Sequence, residues 1–171
     1  MTDDTPARVI EADIRPPLKA IAPRMLATLS IVGILAGIAY FGFTPEGSAT
    51  IDARGIVATA VGWLIYVVVT LGGAWLLLSV RRALSAGLRP VTKRGIFRLA
   101  VIDSLAAGFG AMAATALLAI AATDIMRLLT FALVMVTLFT WATVMPEYAT
   151  RFTELTGDSD QGEIEEPKAD E

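Results

Sequence analysis

Apolar residues fall along this chain in four long blocks, and polar residues gather between them. The blocks cover residues 25–43, 55–80, 99–123 and 128–145. Three of them hold no charged side chain, and the third holds one, Asp103. A hydrocarbon core of about 30 Å takes roughly 20 helical residues to cross, and each block is near that length. The second has 26 residues, about 39 Å of helix at 1.5 Å per residue, so it must tilt or reach into an interface. Barrel strands of about 9–11 residues with alternating polarity do not fit blocks that are continuously apolar. The pattern predicts an all-α fold, an integral membrane four-helix bundle.

Charge orients it. Arg8, Arg15, Lys19 and Arg24 precede the first block, six basic residues lie between the second and third, and Arg151 and Lys168 follow the fourth. Only Arg54 and Arg127 lie in the other two connections, twelve against two. The positive-inside rule then places the N and C termini and the 81–98 connection in the cytoplasm of a multi-pass protein of the cell membrane. An even number of spans independently requires the termini to share a side. Eleven Arg against three Lys point to a prokaryotic source with a GC-rich genome.

The connections differ in character. Thr44-Pro45-Glu46-Gly47 is a turn signal, and residues 44–54 are read as a short external loop. Residues 123–127 are too few for anything but an antiparallel hairpin, with Asp124 placed to cap the entering helix. Pro146-Glu147 is expected to close the fourth span. The chain thus divides into a Pro-containing cytoplasmic segment (1–24), a transmembrane domain (25–146) and an acidic tail (147–171). Residues 154–171 hold eight acidic residues and one basic, so disorder is expected there.

The third span is built from small residues: 14 of the 21 from Asp103 to Thr123 are Ala, Gly, Ser or Thr. In lipid, helices associate by close packing rather than by the hydrophobic effect, and small side chains let backbones approach. Gly108, Gly110 and Ala114 in this span, and Gly33 and Gly37 in the first, are the candidate packing positions. They serve either one four-helix bundle or a seam to a homo-oligomer or larger membrane complex.

Candidate chemistry is sparse. With no Cys and no His, the sequence has no thiol nucleophile, thiolate or imidazole ligand, or His-based acid–base group. No carboxylate pair, nucleotide loop or metal cluster appears, so neither an enzyme nor a cofactor is expected, and no nucleic-acid partner. Asp103 is the one ionisable residue inside a span, where charge is expensive and function is the first hypothesis. It lies five residues past Arg98, about 7.5 Å of helical rise, so it can instead form an ion pair near the headgroups. Arg98 points away from it on the same helix, which leaves Arg81, Arg82 or Arg24 as partners. The basic residues Arg81, Arg82, Arg89, Lys93, Arg94 and Arg98 form either a patch for anionic lipid headgroups or a partner, or a topology signal alone. The functional expectation is an accessory, scaffold or assembly subunit without catalysis. The alternative is a small oligomeric transporter or channel using Asp103 as an ion or proton site.

Overall fold

The structure is a computed structural model that describes residues 11–85, 87, 89–118 and 125–161. Five helices follow one another: α1 (Leu18–Phe43), α2 (Pro45–Arg54), α3 (Ile56–Leu84), α4 (Lys93–Leu118) and α5 (Ile125–Gln161). Four of them, α1, α3, α4 and α5, are long and apolar enough to cross a membrane. The non-helical pairing among the described residues is a two-residue antiparallel bridge, Glu11 opposite Pro90 and Ala12 opposite Arg89.

The helix ends correct three expectations. Residues 45–54 are a helix, not an open loop. Thr44 is its N-cap, its hydroxyl accepting from the Gly47 N–H at 3.1 Å, and Pro45 stands where a missing N–H costs nothing. What looked like a turn signal is a helix-start signal. Gly55, at φ 81°, then breaks the chain direction so that α3 can begin. Helix α1 starts at Leu18, seven residues before the first apolar block, and carries Pro23 within it. Finally, α5 passes through Pro146 and continues to Gln161. Residues 147–161, expected in the acidic tail, are therefore helical, including 154–161 where disorder is expected. The reason is burial: Tyr148, Phe152 and Leu155 recur at helical spacing and pack on the core cluster, which offsets the hydrogen bond lost at the proline. Asp124 and residues 162–171 lie outside the described residues.

Burial is unequal among the four long helices. Helix α4 has eleven buried residues, against four in α1 and six in α3. Its buried positions come in adjacent pairs about one turn apart, such as Leu99/Ala100, Asp103/Ser104, Ala107/Gly108 and Gly110/Ala111, so two flanks are covered at once. Helix α5 buries a single row at four-residue steps: Ala132, Val136, Thr140, Val144 and Tyr148. That row is one helix ridge. Its other side is exposed at Phe131, Val134, Leu138 and Trp141. Ile31, Leu35 and Ile38 of α1 and Val61, Leu64 and Val68 of α3 are exposed as well. Such a contiguous apolar surface is unusual for a soluble monomer and suits a lipid environment.

Candidate functional site

Asp103 stands on the buried flank of α4, with no exposed surface. The last turn of α3 brings two arginines to it. Arg82 donates from Nε to Oδ2 at 2.7 Å, and its Nη2 lies 2.6 Å from the same oxygen. Arg81 pairs with Oδ1. From α5, the Tyr148 hydroxyl donates to Oδ2 at 2.8 Å and accepts from Arg82 Nη2 at 3.4 Å. The Arg82 guanidinium also lies 5.8 Å from the centroid of the Tyr148 ring, within cation–π range. Three helices thus meet at one carboxylate.

The N-terminal segment closes this cluster. Arg82 donates from Nη1 to the Pro16 carbonyl at 2.8 Å. Next to it, Arg15 donates to the Arg82 carbonyl at 3.0 Å, to Ser85 Oγ at 3.2 Å and to the Ser85 carbonyl. The last four carbonyls of a helix have no partner of their own. Arg15 satisfies such groups at the end of α3, where a cation is also favoured by the helix dipole. Ile14, between the bridge and Arg15, is buried in the same core as Ile21, Leu99 and Tyr148. Residues 11–17 are therefore strapped across the end of the bundle by an ionic cluster, a helix cap and an apolar plug.

Of the other partners considered for Asp103, Arg98 is exposed and Arg24 pairs instead with Glu147 on α5. The six-residue basic set is divided by the fold. Arg81 and Arg82 turn inward to Asp103, while Lys93, Arg94 and Arg98 remain exposed on the first two turns of α4. The side chain of Arg89 lies outside what is described.

The small residues hold the two flanks of α4. A Cβ on Gly110 would strike the Gly73 carbonyl of α3, and one on Gly73 would meet Ala114 Cβ at 2.6 Å. A Cβ on Gly108 would meet the Leu133 carbonyl of α5 at 2.9 Å and strike the Thr137 hydroxyl. A glycine pair thus sets α4 against α3, and the single Gly108 sets it against α5. Gly33 and Gly37 make a separate seam with α3, against Val67 and Trp63. There the Trp63 indole N–H donates to the Gly33 carbonyl at 2.9 Å. Trp63 stacks on Tyr66 at 5.0 Å and meets Phe41 edge-on at 5.5 Å, and the Tyr66 hydroxyl lies 3.2 Å from Thr115 Oγ1.

Among the described residues no group of three acidic side chains gathers as a metal site would require. What the Asp103 cluster can do chemically is hold: its carboxylate accepts hydrogen bonds at Oδ2 from Arg82 and Tyr148 and is ion-paired at Oδ1 with Arg81. Compared with family models, with curated proteins and with solved structures, the chain matches none, so the reading rests on its own residues.

Sequence reasoning placed Asp103 beside arginines of neighbouring helix ends but missed Tyr148, Pro16 and Arg15. Tyr148 lies beyond Pro146-Glu147, where the fourth span is expected to close. The signal for it was present: carrying the four-residue row of α5 through Pro146 leads directly to Tyr148. Nothing in the sequence marks the carbonyl of Pro16, because a backbone acceptor is common to every residue.

Proposed function

We propose that this chain is a multi-pass protein of the cell membrane with both termini and the 81–98 connection in the cytoplasm. We infer that it acts as a non-catalytic accessory, scaffold or assembly subunit of a membrane complex, alone or as a homo-oligomer. The observation that carries this reading is the state of Asp103. A transport carboxylate must exchange its counter-charge between a mobile ion or proton and water. Asp103 instead faces two guanidinium groups and a tyrosine hydroxyl belonging to the fold. Breaking such a buried pair is costly, which suits a fixed joint better than a turnover site. The exposed apolar sides of α1 and α3 supply the faces on which lipid or a partner helix can pack.

Reporter fusions at residue 171 and within Pro45–Arg54 should report opposite compartments, the first cytoplasmic. Purification from native membranes should bring a membrane protein in fixed ratio. The same compartment for both fusions would end the four-span reading. A pH- or ion-dependent flux in liposomes that Asp103→Asn abolishes would replace the scaffold with a transporter.

A further inference from the structure

The fold sorts the basic residues near the Asp103 end into two groups with different surroundings. Arg15, Arg81 and Arg82 are consumed by internal partners. Lys93, Arg94 and Arg98 are exposed, and none of them has an acidic partner among the described residues. Three unneutralised cations stand on the first two turns of one helix.

What lies beyond them on the same helix gives the patch a direction. Arg94, Arg98, Ile102, Leu105 and Phe109 follow one another at steps of four, four, three and four residues, and all five are exposed. Such steps keep residues on one face of an α-helix. This outward stripe is therefore basic for its first turn and apolar for the next three. Phe97, half exposed at 50%, stands beside the cations at the boundary. The glycines at 108 and 110 face α5 and α3, so the stripe lies away from both of the helices that pack on α4.

We propose that this stripe is a binding site for one anionic phospholipid. Its phosphate lies between Arg94 and Arg98, with the exposed Lys93 adding positive charge at the same helix end, and its acyl chains run along Ile102, Leu105 and Phe109. The inference rests on the reading of the chain as a membrane protein. Charge complementarity selects the headgroup: a zwitterionic lipid brings no net charge to three cations without an acidic partner among the described residues, whereas an anionic one brings that counter-charge. Position selects a lipid over a soluble anion, because the cations begin where the apolar stripe ends. Arg81 and Arg82 play no part in the site, although the sequence groups them with it.

The test uses the full chain in nanodiscs and in mild detergent. In detergent, phosphatidylglycerol should be retained in native mass spectra and phosphatidylcholine should not. Each cation near an anionic headgroup is worth about fivefold in affinity. Lys93→Gln, Arg94→Gln and Arg98→Gln together should then weaken phosphatidylglycerol binding on the order of 100-fold. The helical circular dichroism in phosphatidylcholine nanodiscs should stay unchanged. If the triple variant does not fold, Arg98→Gln alone is read, with about a fivefold loss. The pair Arg94→Lys and Arg98→Lys should retain binding. Equal retention of both lipids by the native chain overturns the proposal. So does competition by millimolar inorganic phosphate, which would mark a general anion site. Binding that appears only after residues 162–171 are deleted also overturns it, because the acidic tail would then be the occupant. Release of the chain from membranes by carbonate would instead sink the membrane reading itself. A carbonate-resistant chain without lipid preference sinks only this inference.

Discussion

The two halves of the bundle are joined by different kinds of contact. In the half that contains the N-terminus of α4, Asp103, Arg81, Arg82 and Tyr148 bind three helices and the strap at residues 11–17 through charged hydrogen bonds. In the other half, α1, α3 and α4 meet through rings and neutral hydroxyls: Trp63 on Gly33, Phe41 and Tyr66, and Thr70 and Tyr66 on Thr115. The difference teaches where this fold is brittle. Removing one member of a buried ionic cluster leaves the others charged and unsolvated, at about 3–5 kcal/mol. Removing one neutral hydrogen bond costs about 1 kcal/mol. The first half also fixes a segment with no helix of its own, and apolar burial at Ile14 alone is a small hold for residues 11–17.

The sharpest way to break this comparison is Asp103→Ala. It leaves Arg81 and Arg82 together without a counter-charge, and the expected loss is about 3–5 kcal/mol, read by denaturant unfolding of the purified chain in detergent. The strap should loosen with it, because Arg82 positions the Pro16 carbonyl and Arg15 is anchored on the end of α3. Trypsin should then cut after Lys19, next to the strap at the start of α1, faster than in the parent chain. A loss below 1 kcal/mol, with Lys19 still protected, would show that the cluster only decorates the end of the bundle.

The next effect in size separates the glycine seams from the half-buried side of α5. Gly110→Leu forces a side chain into the Gly73 backbone, and overpacking of this kind costs about 1–3 kcal/mol or more. Here the obstacle is a carbonyl rather than the far end of a side chain, so the upper part of that range is expected. Leu133→Ala on the half-buried side of α5 should cost about 1 kcal/mol, within the range usual for single substitutions. Equal, mild losses in detergent stability would place the small residues of α4 against lipid.

The legible part of this molecule was what depends on sequence composition over a whole span. Four continuous apolar blocks give four long helices, because a span must satisfy its own backbone in an apolar medium. The small residues from Asp103 to Leu118 fall on α4, which has the most buried positions among the described residues, since small side chains permit contact on two flanks. What was illegible depends on local competition. Pro146 looked like an end because its lost hydrogen bond is visible in sequence, whereas the packing of Phe152 and Leu155 that outweighs it is not. Thr44-Pro45 looked like a turn because turns and helix starts share these residue types. The Asp103 cluster was half legible: burial of a lone carboxylate implies arginine partners, but not which tyrosine or carbonyl completes the set.

The smallest expected effect tests the neutral half directly. Trp63→Phe keeps a ring beside Phe41 and Tyr66 and deletes the N–H that donates to the Gly33 carbonyl. That carbonyl sits within α1, in the run of backbone hydrogen bonds along the helix, so it is not left bare. The loss should therefore be near the net worth of one neutral hydrogen bond, about 1 kcal/mol, or roughly 2–4 °C in Tm for a chain of this size. Trp63→Ala removes the ring as well and should cost about 3 kcal/mol or more, which separates packing from hydrogen bonding at a single position. If Trp63→Phe cost as much as Asp103→Ala, the neutral half would be as brittle as the ionic one, and the contrast between the two ends would fail. A cost confined to Trp63→Ala would assign the α1–α3 seam to ring packing against Gly33 and Gly37, with the indole N–H fixing the orientation of the ring.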